Sequence, residues 1–324
     1  MVSRVNHSKV FKAVGVAFAK INLRLVVEGL CNNGYHKLSM LTARIRFGDT
    51  VSLEAVKAED GKSQITCKSS VADLFDSEKN LVSRGANLIV NNAVITEPVS
   101  LFFSLEKRIP IGGGLGGGSS NCALAMCLTE LYLSEELGIK ESLIYSNKHQ
   151  LEARKATLQK IASQLGADVP FFLDCQQSGF SWVRGIGDEV LPIDSFSIRG
   201  TPVALICPPW GIATSEVFAE SRRRFANSEH DHHHPDGEVS RISSYEQLLS
   251  LVRNDLTEIS WMVEPCQQTL HNRLAELNGG VVGMSGSGST LFMLPERQND
   301  KLPINELRNI ARLFDAKLLL TDIL

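Results

Sequence analysis

The sequence has no surplus of either charge: among its 324 residues, 36 Asp and Glu stand against 33 Lys and Arg, a formal net charge of −3. With no basic excess to neutralise a phosphate backbone, the composition excludes nucleic acid as the partner. Long apolar runs are also missing. Nothing approaches the roughly 18 uninterrupted apolar residues that a membrane helix needs. The segment from Val14 to Val27 is broken by Lys20, Asn22 and Arg24, which excludes a signal-peptide core as well. The expected location is the cytoplasm, with no membrane partner. The seven cysteines include no Cys-x-x-Cys pair, so reduced thiols are expected rather than disulfides or a zinc site. A hydrophobic fraction of 43% excludes disorder, and the length makes two domains the default.

Several nucleotide signatures are absent too. The chain's Gly61-Lys62-Ser63 has Val56 where a Walker A loop requires its first glycine. The His-Arg-Asp and Asp-Phe-Gly elements of protein kinases do not occur.

What the chain does have is glycine, concentrated in one place. Pro110 and Ile111 lead into Gly112-Gly113-Gly114-Leu115-Gly116-Gly117-Gly118-Ser119-Ser120. Glycines let a backbone approach a ligand and turn several N–H groups toward one point, and a helix start behind them adds its own donors. The residues from Cys122 to Leu133 are apolar nearly all round, predicting a buried helix capped near Ser119 or Ser120. The loop therefore reads as an anion site. A dinucleotide fingerprint, Gly112-x-Gly114-x-x-Gly117, is formally present, but a run this dense satisfies almost any glycine pattern, and the strands before the loop read as antiparallel.

Those strands are visible as alternation. Ile21, Leu23 and Leu25 alternate with Lys20, Asn22 and Arg24, the period of a strand with one buried face. Lys20 and Asn22 then share the polar face, about 6–7 Å apart by strand rise. Val99, Leu101, Phe103 and Leu105 predict a second strand, and a helical pattern starts at Asn80, a candidate N-cap. Another helix is expected near 151–165, ended by Gly166, with Asp168 just beyond it at the lip of Val169-Pro170-Phe171-Phe172. A second glycine turn spans Gly283 to Ser289. The His-rich segment 229–238 reads as a solvated loop.

Taken in order, Ala19-Lys20-Ile21-Asn22-Leu23, Asn33-Gly34-Tyr35-His36, Lys79-Asn80-Leu81, the central loop, Gly166-Ala167-Asp168-Val169-Pro170-Phe171 and Ser285-Gly286-Ser287-Gly288 resemble the GHMP kinases. Within them, the pattern is most similar to the branch that phosphorylates 4-(cytidine 5′-diphospho)-2-C-methyl-D-erythritol in isoprenoid synthesis. The resemblance implies a two-domain α+β fold. Residues 1–199 would form an ATP-binding domain like domain 2 of ribosomal protein S5, and 200–324 a ferredoxin-like domain on the substrate side. ATP and Mg²⁺ are the implied cofactors, and a monomer or homodimer the implied assembly. Asp168 would be the catalytic base and Lys20 its partner, while Pro110 to Ser120 would bind ATP, with Asn80 and Lys107 near the adenine. Asn22, Tyr35, His36, Thr214, Phe218, Ser285, Gly286 and Ser287 would contact the substrate, Tyr35 and Phe218 stacking on the cytosine. Read without the resemblance, Asp168 is a turn carboxylate, Ser285–Ser289 a tight turn, and Phe218 core. A GHMP kinase acting on another small alcohol such as mevalonate or homoserine, a non-catalytic nucleotide-binding module, or a dinucleotide-dependent oxidoreductase also remains open.

Overall fold

The structure, a computed structural model, describes residues 2–4, 10–31, 34–59, 61–71, 80–93, 95, 97–139, 161–174, 179–193, 198–225 and 241–324. Asn33, Lys79, Cys175, the expected helix before residue 161, residues 140–150 and the His-rich segment lie outside them. The elements begin with strands β1 (Val2–Arg4), β2 (Phe11–Leu30), β3 (His36–Lys57) and β4 (Gln64–Ser69), then α1 (Leu81–Asn92) and β5 (Val99–Glu106). Next come α2 (Gly117–Glu136), α3 (Val169–Asp174), β6 (Phe180–Gly185), β7 (Glu189–Pro192) and β8 (Pro202–Cys207). The chain continues through α4 (Thr214–Phe225), α5 (Tyr245–Leu251), β9 (Arg253–Asn254), α6 (Thr257–Val263) and α7 (Pro265–Ala275). It ends with β10 (Gly280–Met284), β11 (Leu291–Pro295), α8 (Ile304–Leu313) and β12 (Lys317–Asp322).

Packing groups these elements into two compact units that interleave along the chain. The first holds Met1–Phe18, Gly48–Ile109 and Gly116–Asp174; the second holds Ala19–Phe47, Pro110–Leu115 and Cys175–Leu324. The sequence boundary expected after residue 199 thus falls inside the second unit, just ahead of β8.

In the first unit, Thr50–Lys57 of β3 pairs antiparallel with β5. Val99, Leu101, Phe103 and Leu105 are buried, as their alternation predicts. β4 departs from the expected antiparallel pattern and runs parallel to β5, because a connection carrying a helix, here α1, delivers the next strand in the same direction. Asn80 caps α1, its Oδ1 accepting from Val82 N at 2.9 Å. α1 packs closely on α2: a Cβ at Gly85 would come within 2.7 Å of Cys122 Sγ. Burial pushes that thiol up to about 12, so it is an inert core group. The six described cysteines are free thiols. α2 starts earlier than its apolar residues suggest, with Gly116 rather than a serine at the N-cap, because glycine reaches the left-handed backbone this start requires (φ 69°).

In the second unit, Leu38–Ala43 of β3 pairs with β6, and β9 joins β2 in parallel at Arg24 and Leu25. β2 departs from the one-faced strand predicted for it: Ala19 to Val27 are buried on both faces, Lys20, Asn22 and Arg24 included. A separate sheet has the order β10-β11-β8-β12 with antiparallel neighbours. With helices between β8 and β10 and between β11 and β12, this is the β-α-β-β-α-β arrangement of ferredoxin-like folds.

Candidate active site

In the second unit, the buried polar face of β2 is satisfied by its neighbours. Lys20 Nζ donates to Asn22 Oδ1 at 2.5 Å, and Asn22 Nδ2 donates to Thr42 Oγ1 at 2.9 Å. Strand rise separates the two backbones, yet the side chains on this shared face touch. Asn22 N donates to Ser285 Oγ at 3.2 Å, whose hydroxyl donates in turn to Gly114 O at 2.8 Å. Two further loop carbonyls are held in the same way, Leu115 O by Lys20 N (3.0 Å) and Gly113 O by Thr290 N (3.3 Å). The structure therefore joins Lys20, Asn22, the first half of the glycine loop and the Ser285 turn, which the sequence offered as separate motifs. Gly114 has φ 73°, and a Cβ there would meet Ser285 O at 2.1 Å. Both conformation and space require glycine.

The second half of the loop belongs to the first unit. The first helical bond of α2 runs from Ser120 N to Gly116 O at 2.9 Å, so the N–H groups of Gly117, Gly118 and Ser119 precede it and have no partner in the helix ladder. Ser120 turns inward, its hydroxyl donating to Phe18 O at 2.7 Å. The turn before α3 packs on Ser119, since a Cβ at Gly166 would lie 3.3 Å from Ser119 Oγ. Asp168 ends that turn, half-buried, its carbonyl accepting from Phe172 N at 3.4 Å. Lys107, expected near adenine, forms a buried ion pair with Asp49, and its Nζ is 3.2 Å from where a Gly117 Cβ would be.

Where β3 begins, in the second unit, Tyr35 is 63% exposed while His36 is 5% exposed. The His36 ring lies against Phe218 of α4, centroids 4.9 Å apart and tilted by 40°. His36 Nε2 is buried and has no hydrogen-bond partner. Burial, helped by the Arg222 charge, holds the imidazole below its ordinary pKa of 6.5. Leaving a buried ring nitrogen unpaired is costly, which sets this imidazole apart from an ordinary core side chain. Nearby in sequence, Thr214 Oγ1 and Ser287 Oγ share a hydrogen bond of 2.8 Å.

Residues 80–175 match the family model for the GHMP kinases N terminal domain. The chain is 30% identical over 286 residues to the 4-diphosphocytidyl-2-C-methyl-D-erythritol kinase of Chlorobium luteolum, covering 88% of this chain and 89% of that one. The chain belongs to that kinase family. A kinase of the same name from Chlorobium chlorochromatii is 31% identical, with 86% of each chain covered. A crystal structure of 4-(cytidine 5′-diphospho)-2C-methyl-D-erythritol kinase superposes with a TM-score of 0.67 at 25% identity, over 96% of this chain and 98% of that one. Membership implies ATP as phosphoryl donor and removes the oxidoreductase reading. Among the described residues of the kinase, no helix is long and apolar enough to cross a membrane.

Two residues of the kinase escaped the sequence reading. Asp49, 0% exposed, gathers four donors. Asn254 donates to Met284 O (2.8 Å) and Gly286 O (2.7 Å) and accepts from Leu256 N (2.9 Å), which pins the Ser285 turn. Neither carried a signal in the sequence beyond being an ordinary polar residue.

The low pKa of His36 has a consequence for stability. As pH falls below 6.5 the unfolded chain takes up the proton first, so stability is fully present above that value and declines below it. The urea midpoint of the kinase is expected to be lower at pH 5.5 than at pH 7.5, and His36→Gln to shrink the difference. An unchanged difference in the variant would assign the pH dependence to other groups.

Proposed function

We propose that this enzyme transfers the γ-phosphoryl group of ATP to the 2-hydroxyl of 4-(cytidine 5′-diphospho)-2-C-methyl-D-erythritol, releasing ADP and the 2-phosphate, as a step of non-mevalonate isoprenoid synthesis. The observation that carries the substrate half is the His36–Phe218 ring pair with its unpartnered Nε2, in a chain whose similarity to kinases of that name spans most of its length.

Asp168 accepts the proton of the attacking hydroxyl. The new bond joins that oxygen to the γ-phosphorus as the bond to the β,γ-bridging oxygen of ADP breaks, with no phosphoenzyme. Lys20 supplies positive charge to the phosphoryl oxygens, at the position where charge develops in the transition state. Gly112 to Ser119 hold the phosphates by backbone N–H groups, with the Ser119 hydroxyl as a further donor, since that of Ser120 is engaged by Phe18 O. Bound Mg²⁺ would neutralise phosphate charge. Such an ion would take most of its ligands from phosphates and water. Asn80 and Lys107 flank the nucleotide, Lys107 sharing its ammonium with Asp49. Asn22, Tyr35, Thr214, Ser285, Gly286 and Ser287 complete the alcohol side, and residues 1–199 and 200–324 serve as the ATP-binding and substrate-side modules.

The test is ADP release from ATP and Mg²⁺ with the cytidyl alcohol, mevalonate and homoserine offered in parallel. Turnover of the cytidyl alcohol alone is expected. Turnover of another alcohol instead would keep the kinase and discard the roles of Tyr35, His36 and Phe218; ATP binding without turnover would favour a non-catalytic nucleotide module.

A further inference from the structure

Asp49 is a fully buried carboxylate, 0% exposed, that no step of the reaction uses. Its Oδ1 accepts from Arg108 N at 2.6 Å and from Ile109 N at 2.8 Å, the last two residues before Pro110. Its Oδ2 accepts from Asn121 Nδ2 at 3.0 Å, immediately after Ser120, and from the Lys107 ammonium. One carboxylate thus ties the backbone that enters the glycine loop to the helix turn that leaves it. All of these residues lie in the first unit. Charge-assisted bonds to both oxygens make this a strong staple, and its burial keeps water from replacing any of them.

We infer that Asp49 is a positioning residue for ATP, holding the two ends of the phosphate-binding loop at the separation its backbone donors need; the inference rests on the proposed role of that loop. A loop that binds phosphate through N–H groups has no long side chain with which to follow a displaced ligand, so small shifts of its backbone cost affinity directly. The cytosine-side residues His36 and Phe218 belong to the other unit. The signature of the staple is therefore a selective loss of nucleotide binding.

Asp49→Asn preserves shape and the acceptor facing Arg108 and Ile109, but turns an amide donor toward the Lys107 ammonium. The KM for ATP is expected to rise about tenfold or more, with the KM for the alcohol within about twofold of the parent, and calorimetric ATP affinity to fall in step. Asn121→Leu keeps the Asp49–Lys107 pair and removes only the tie to α2, so it tests the staple without a buried unpaired charge; a smaller rise in the KM for ATP, about threefold to fivefold, is expected. An ATP KM unchanged in Asn121→Leu, or a fall in kcat alone in folded Asp49→Asn, overturns the inference and leaves the loop's role standing. Failure of the parent protein to bind ATP by calorimetry overturns both.

Discussion

Asp168→Asn is expected to lower kcat by about 10²–10⁴-fold while leaving the KM values for ATP and for the alcohol within a few-fold of the parent. The substitution is nearly isosteric, and the turn that presents Asp168 is held by backbone bonds that an amide does not disturb: Val169 N to Gly166 O at 3.0 Å and Phe172 N to Asp168 O at 3.4 Å. What changes is the ability to accept a proton. A loose phosphoryl transition state demands less of a base than an acyl transfer does, which places the lower end of that range within expectation. Single-turnover measurements with bound ATP and alcohol isolate the step, and an unchanged thermal unfolding curve shows the fold intact. A parent-like kcat would remove Asp168 from the chemistry and leave it as a turn residue before α3.

Gly114→Ala is expected to destabilise the protein by about 3 kcal/mol or more and to reduce ATP turnover by at least about 100-fold. The left-handed backbone at φ 73° would itself cost a side chain roughly 1–2 kcal/mol. The larger part comes from space. The new Cβ would lie 2.1 Å from Ser285 O and 3.0 Å from Gly288 O, both backbone atoms with no rotamer to yield. The loop must move away, which breaks the bond from Ser285 Oγ to Gly114 O and exposes the one from Asn22 N to Ser285 Oγ to loss. Gly112→Ala is the internal comparison, since Gly112 has φ 71° and nothing within 4 Å of its Cβ position. It carries the conformational cost alone, roughly 1–2 kcal/mol. Urea midpoints of the two variants, with calorimetric ATP affinity, separate strain from collision; equal costs at the two positions would show that the contact with the Ser285 turn is not the reason for glycine at 114.

Much of the architecture is written in local periodicity. Alternation set β5 and its buried face, the apolar circumference after Ser120 announced α2 as a core helix, and Asn80 marked the start of α1 by the capping chemistry it performs. The glycine run signalled close backbone approach, and the shared parity of Lys20 and Asn22 placed them on one strand face. These features are legible because each depends on residues within a few positions of one another, where backbone geometry fixes which side chains meet.

The burial of β2's polar face, the seat of Ser285 against Gly114, the inward turn of the Ser120 hydroxyl onto Phe18 O, and the stapling by Asp49 and Asn254 were decided by tertiary structure alone. Asp49 follows a glycine in a strand, and Asn254 precedes an aspartate, and sequence offers no reason to prefer them to any other polar residue. Apart from Leu256 N, their partners stand far away along the chain, and a contact of that kind depends on strand register and on how a folded unit closes. The amino-acid sequence by itself determined which segments can turn, span and cap, and which residues carry chemistry. Only the packed structure decided which polar groups satisfy one another once water is excluded, because burial makes an unpaired group costly and so selects its partner from whatever the fold brings within reach.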